Sequence, residues 1–379
     1  MVLFAAFFAF VVWAFVFQLV PPLLGTLRDD FRVDPTQSSL LMSMVVIPGI
    51  LLALPAGLIV NRHGFRLLGF LSIVSVAAGS LITAVAGTFP VALTGRFILG
   101  VGGAFLIVGA PTIIPQWFPR RELGKAMGIY GVNMPVATIV AFPTATILAQ
   151  SFGWRCPFYV GTAVSLTCAA AFALTVREGP LKGEYQPVSM EEVRRAAAST
   201  EVWKTSIVWL FFETVALAYL TWTPQWFNTV KGFEPLYASI LASLLMVFAI
   251  FFVPVFGWTS DRLGRRKPII VAGLILMALS LIAIAYATGF ALLFSVGLLG
   301  VSASMTPALV MVIITQNLPL RLSGTGFGVL TLCQNLGISL GPPVAGYLMQ
   351  TTQSLILTFS GISLFAFAGA VTALTIRTK

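Results

Sequence analysis

Two ionisable side chains stand where hydrocarbon is expected. Glu213 interrupts the apolar run WLFFETVALAY, and Arg96 interrupts VALTGRFILGVGGAFLIV. A carboxyl group cut off from water can bind a proton and release it when water returns, which is the chemistry of a proton carrier. A guanidinium keeps its charge, so it suits an anionic group or ties down a helix. Each such group costs at least about 2.5 kcal/mol in the bilayer centre and therefore needs a reason. Four amides, Gln18, Asn133, Gln334 and Asn335, fall in similar surroundings. They could line a solute path, although interhelical hydrogen bonding is the ordinary use of such residues.

A second kind of chemistry is written in two short basic phrases. GLIVNRHGFR runs from Gly57 to Arg66, and GWTSDRLGRR from Gly257 to Arg266. Nothing else resembles a reactive constellation. No G-x-x-x-x-G-K-[ST] loop, paired carboxylates or histidine beside a nucleophile is written, so the chain reads as no enzyme. The single histidine, His63, and three scattered cysteines, Cys156, Cys168 and Cys333, offer neither a metal site nor a disulfide framework. No cofactor is expected.

The elements that hold these residues must be membrane helices. Of 379 residues 58% are hydrophobic and only 9% charged, against roughly 25% charged in soluble domains, so the surface could not be covered with charge. A span needs about 20 apolar residues. Breaking the chain at its polar junctions gives twelve, near 2–25, 37–60, 66–87, 90–117, 123–149, 155–176, 205–227, 234–258, 268–288, 290–316, 323–349 and 354–375. The opening segment lacks a basic start and a small-residue cleavage site, and reads as the first span rather than a signal peptide. With both termini cytoplasmic, seventeen of the 22 Lys and Arg fall on the inner side, as topology requires. The net charge of +10 is thus spread over short loops and gives no nucleic-acid surface. Trp117, Trp154, Trp203, Trp226 and Trp258 fall near span ends, where an aromatic belt belongs. By helical rise, Glu213 lies about 12 Å from the inner end of the seventh span, and Arg96 about 9 Å from the outer end of the fourth.

The chain repeats itself at an offset of 200 residues. Gly57, Arg62, Gly64 and Arg66 fall on Gly257, Arg262, Gly264 and Arg266, and Gln116, Pro119, Arg121 and Gly124 on Gln316, Pro319, Arg321 and Gly324. Residues 1–176 and 205–379 form two halves of six spans, joined by a polar linker, 177–204. Within it, Ser189 to Glu192 is a capping-box pattern that predicts a short surface helix. Six spans per half is even, so the repeat is parallel, about an axis along the membrane normal, as in secondary transporters. Glu213 falls on Trp13 and Arg96 on Val296, so the repeat accounts for neither charge.

At the two basic phrases the chain resembles the major facilitator superfamily, whose loop signature is G-x-x-x-D-R-x-G-R-R. The second copy matches fully through Gly257, Asp261, Arg262, Gly264, Arg265 and Arg266. The first keeps Gly57, Arg62, Gly64 and Arg66, with Asn61 for the acid and Phe65 for a basic residue. Arg96-x-x-x-Gly100-x-Gly102-x-Ala104, and Gly153-Trp-Arg155, are similar to further family patterns. The resemblance implies an all-α membrane protein of twelve transmembrane helices, in two six-helix bundles related by a pseudo-twofold axis along the membrane normal.

It also implies function. The two loops would brace the halves and latch the cytoplasmic gate, more weakly in the first copy, where Asn61 brings no charge to a helix end. The first, fourth, seventh and tenth helices of the family line the central cavity, which would place Arg96 and Glu213 there. Gln18 lies near the depth of Arg96 and could bond to it. The expected protein is a monomeric secondary active transporter in the plasma membrane, moving a small solute by alternating access with a proton as partner and the lipid bilayer as solvent. Arg96, and the likeness of WFPRRELGKAMGI to the inner loop of anion and carboxylate porters, tip the solute toward a small anion. The fifth span lacks the G-x-x-x-G-P pattern of the family's drug exporters; the nearest equivalent, Gly337 to Gly346, lies in the eleventh. Two alternatives stay open: a proton-antiporting exporter of drugs or metabolites, and a non-transporting receptor of the same fold.

Overall fold

A computed structural model of the chain describes residues 2–52, 55–114, 117–118, 120–176, 198–318 and 322–377. Among them are sixteen helices and no strand. The predicted linker helix at Ser189 to Glu192 lies outside the described residues. Twelve apolar segments account for the sixteen helices: three segments contain a break, and in a fourth residues 53–54, between two helices, lie outside the described residues. In chain order they are α1 (Val2–Phe17) with α2 (Val20–Phe31), α3 (Pro35–Leu52) with α4 (Pro55–His63), α5 (Phe65–Ala84), α6 (Phe89–Ile113), α7 (Arg120–Gly131) with α8 (Asn133–Phe152), and α9 (Cys156–Thr175). Then come α10 (Thr200–Thr229), α11 (Pro235–Leu263), α12 (Lys267–Tyr286), α13 (Gly289–Ala303) with α14 (Pro307–Asn317), α15 (Ser323–Thr352) and α16 (Leu355–Leu374). Eleven segments are long and apolar enough to cross a membrane on composition alone. The twelfth, α15, is as long at 30 residues but carries glycines, prolines and three amides.

Two of the breaks have a covalent cause. Proline has no N–H, so the carbonyl four residues earlier loses its helical donor. Pro21 and Pro22 follow the interruption between α1 and α2, and Pro307 follows the one between α13 and α14. Their counterparts 200 residues away, Thr221, Trp222 and Ile107, have the N–H, and α10 and α6 run through unbroken.

The chain divides into two compact units, Met1–Val33 with Leu40–Tyr185, and Asp34–Ser39 with Gln186–Lys379. In the first, α5 packs along α6 and α9, and α1 lies against α6, α8 and α9. In the second, α10 packs most extensively against α15 and also meets α11 and α16, while α12 packs on α16. The α10–α15 seam is tight because of glycine. A Cβ on Gly337 or Gly341 would run into the carbonyl oxygens of Leu210 and Thr214, so only a residue without a side chain lets the backbones meet.

Loop cations close helix ends. Arg155 Nη2 donates to the Ala86 carbonyl at 3.2 Å and pairs with Asp30 at 3.5 Å. Lys231 Nζ donates to the Ala285 and Ala287 carbonyls, each at 2.9 Å. Both therefore satisfy carbonyls that a helix end leaves open. Burial there pushes the Lys231 ammonium below its ordinary range. Of the five tryptophans assigned to a belt, Trp117, Trp203 and Trp258 are exposed, whereas Trp154 and Trp226 are buried. Trp226 stacks on Trp222 and meets Phe359 edge-on, because that end of α10 is enclosed by its own unit.

Candidate functional site

Glu213 sits in the unbroken α10 and is 7% exposed. Its Oε1 accepts a hydrogen bond from Gln334 Nε2 of α15 at 2.8 Å. The glycine seam makes this reach possible, since Gly337 lies against Leu210 and against the Glu213 Cβ. Two of the sequence candidates, 121 residues apart, are thereby brought together. Asn335, the next residue, is buried with no partner for its Nδ2 among the described residues. Sequence reasoning passed over Trp209. It stacks on Phe212 with ring centroids 5.0 Å apart, and its Nε1 is buried with no partner among the described residues. A tryptophan one turn before an intramembrane glutamate was the available signal.

Arg96 of α6 is fully buried. Its Nε donates to the Leu41 carbonyl at 2.8 Å, Nη1 to Val16 at 3.1 Å, and Nη2 to Phe17 at 2.8 Å. The guanidinium also lies over the Phe17 ring, 5.7 Å from its centroid. The Phe17 carbonyl is the one deprived of its helical donor by Pro21. Arg96 therefore ties α6 to the break between α1 and α2 and to α3, with every guanidinium nitrogen bonded to backbone.

Gln18 is not a partner of Arg96. It is the first residue of the break, and its Nε2 donates to Thr138 Oγ1 of α8 at 3.0 Å, leaving Oε1 buried with no partner among the described residues. Asn133 opens α8, where its Oδ1 accepts the Met134 N–H at 2.6 Å. It is a bond to the next residue from the first helical position, not a cap, and the helix start has no side-chain cap.

The two basic phrases differ in their contacts. In the second, Asp261 pairs with Arg266 at 2.9 Å, Arg266 Nη1 donates to Gln316 Oε1 at 2.9 Å, and Arg262 lies 4.0 Å over the Trp258 ring. Gly264 ends α11 at φ 61°, a left-handed conformation that favours glycine. Arg265 is exposed, and Gly257 has room beside Ala308. In the first, Gly64 adopts φ 81°, Arg62 is exposed, and Arg66 reaches the Ala173 carbonyl at 3.5 Å. Gly57 lies in α4; the Asn61 side chain is outside the described residues.

Comparison with known proteins fits this geometry. The chain is 24% identical over 374 residues to a protein named probable nitrate transporter NarT of Staphylococcus epidermidis, covering 98% of this chain and 93% of that one. It is 25% identical over 254 residues to the probable nitrate/nitrite antiporter NarK1 of Thermus thermophilus, covering 64% of this chain and 56% of that relative. The fold superposes on a bacterial homologue of the human lysosomal transporter Spinster, in an inward-facing and unoccupied conformation, with a TM-score of 0.84 and 19% identity over all of this chain and 98% of the other. The profile of the Major Facilitator Superfamily matches residues 2–253 and 232–379. The chain is a member of the Major Facilitator Superfamily.

Proposed function

We propose that this protein is a secondary active transporter that moves a small solute by alternating access and couples the crossing to a proton on Glu213. The observation that carries the reading is a buried mid-span carboxyl group held by one neutral amide, Gln334, at 2.8 Å. Such a group can be neutral or charged without breaking an ion pair, and intramembrane carboxyl groups are the usual parts of proton relays. The names of the nitrate-transporting relatives support a small anion as solute. Lysine and arginine distribution supports cytoplasmic termini in a plasma membrane, and the basic phrases serve as latches of the cytoplasmic gate. Arg96 acts as the pin of the α1–α2 break.

Purified protein in liposomes tests this with nitrate, formate and lactate under an imposed pH gradient. Glu213→Gln should abolish pH-driven accumulation while leaving solute binding. Accumulation at the wild-type rate in that variant would make Glu213 structural only. One relative is named an antiporter, which favours exchange as the second reading; uptake that follows the gradient in the opposite sense identifies it.

A further inference from the structure

The second basic phrase carries more positive charge than its turn or its internal pairing uses. At the offset of 200, Trp258, Arg265 and Lys267 fall on Leu58, Phe65 and Leu67. Both copies turn at a glycine of positive φ, Gly64 and Gly264, so the turn itself requires none of the three. Asp261 is matched by Arg266, which also reaches Gln316. Arg262, Arg265 and Lys267 have no carboxylate partner among the described residues. Their surroundings are apolar and open. Phe251, Val255 and Trp258 of α11 are 65%, 48% and 57% exposed, and Arg262 follows them, also exposed. Spacings of four, three and four residues keep these four side chains on one helix face. The Arg262 guanidinium lies on the Trp258 ring, 4.0 Å from its centroid. Indole and cation together at the end of an apolar stripe are placed where hydrocarbon gives way to lipid headgroups.

We infer that Trp258 and Arg262 form a binding site for an anionic phospholipid, its phosphate on Arg262 and an acyl chain along Val255 and Phe251. A guanidinium stacked by its face keeps its N–H edge free, and that edge matches two phosphate oxygens. The Arg262 N–H groups have no acceptor among the described residues. Gly264 then turns the chain, so Arg265 and Lys267 follow Arg262 within five residues. With Asp261 matched by Arg266, the turn keeps an excess of three positive charges. That excess selects the headgroup: it attracts a net anion and repels the ammonium of a zwitterionic lipid. The stripe selects a lipid over a free phosphate, because a soluble anion leaves Phe251 and Val255 uncovered. The first half has no equivalent site. Leu58 offers no ring there, and Arg66 is turned to the Ala173 carbonyl. The two sides of the second phrase thus divide the work: Asp261 and Arg266 hold α14 through Gln316, while Arg262 faces outward.

Fluorescence quenching of the purified full-length protein decides it, in phosphatidylcholine vesicles containing brominated phosphatidylglycerol or brominated phosphatidylcholine. Bromine quenches tryptophan on contact, and subtracting the signal of Trp258→Phe isolates this one indole. A cation near an anionic headgroup contributes about fivefold in affinity. The mole fraction that half-quenches Trp258 should therefore be at least about fivefold lower for phosphatidylglycerol than for phosphatidylcholine. Arg262→Gln should bring the two lipids within about twofold of each other. Lys267→Gln, outside the loop signature, should raise the phosphatidylglycerol value about fivefold and leave the phosphatidylcholine value unchanged. Equal values for the two lipids in wild type overturn the inference, as does a full preference that survives Arg262→Gln. Loss of the preference in inorganic phosphate, but not in chloride of equal ionic strength, assigns the cations to a free oxyanion and overturns the lipid.

Discussion

Replacing Arg96 by leucine removes three charge-assisted hydrogen bonds to Leu41, Val16 and Phe17 and leaves their carbonyls behind. Bonds to a charged group contribute about 1.5–3 kcal/mol each, giving a gross loss of about 5–9 kcal/mol. Against this, leucine escapes the desolvation of a guanidinium, worth several kcal/mol in practice. The Leu41 carbonyl keeps its place in the α3 ladder, whereas Phe17 has no alternative because position 21 is proline. An orphaned buried acceptor costs about 1–3 kcal/mol. The net destabilisation should be about 2–4 kcal/mol. Equilibrium unfolding in mixed micelles measures it, with the stacked Trp13 and Phe17 pair, 5.6 Å apart beside the break, as fluorescence reporter. Lysine should recover only part, since one compact ammonium cannot span carbonyls on two helices. Unchanged stability in Arg96→Leu, with solute binding abolished, would refute the pin and make Arg96 a ligand.

Gly341→Leu should prevent α10 and α15 from seating, because even its Cβ overlaps the Thr214 carbonyl; a Tm drop beyond that of a lipid-facing control such as Leu340→Ala checks this. Asp261→Asn should leave stability within about 1 kcal/mol, as expected for an exposed pair, yet change the distance distribution across the gate loops by spin-label spectroscopy; no change in that distribution ends the latch proposal. Glu201 precedes the seventh span in the first turn of α10. Desolvation raises its carboxyl, but the Arg377 N–H and Lys204 outweigh this and hold it below the usual carboxylate range. A depressed carboxylate stabilises the fold above its unfolded value, and that stability goes as pH falls through the folded one. Wild type should therefore lose more stability than Glu201→Gln between pH 6 and acidic pH, read as Tm against pH.

Spans and family were legible because hydrocarbon imposes length and composition directly. Glu213 and Arg96 stood out for the same reason, being ionisable in apolar runs. Their partners did not. Arg96 bonds to backbone carbonyls, which leave no trace in side-chain pattern. Gln334 was visible as a polar residue, but its meeting with Glu213 depends on how close Gly337 lets two helices come. Gln18 was matched to Arg96 by depth, yet at the break its amide reaches Thr138, and depth carries no direction around a helix axis.

The proline break and its arginine also have a history. The first half has Pro21, Pro22 and Arg96; the second has Thr221, Trp222 and Val296. Either set is self-consistent, and either exchanged singly is penalised. Arginine without the proline loses the carbonyl that most needs it, and proline without the arginine leaves that carbonyl bare. This is epistasis with a physical cause, and it predicts that Pro21→Ala lessens the damage done by Arg96→Leu. It also limits recombination between the halves, since a chimaera crossing between the first and fourth spans inherits one member of the set without the other.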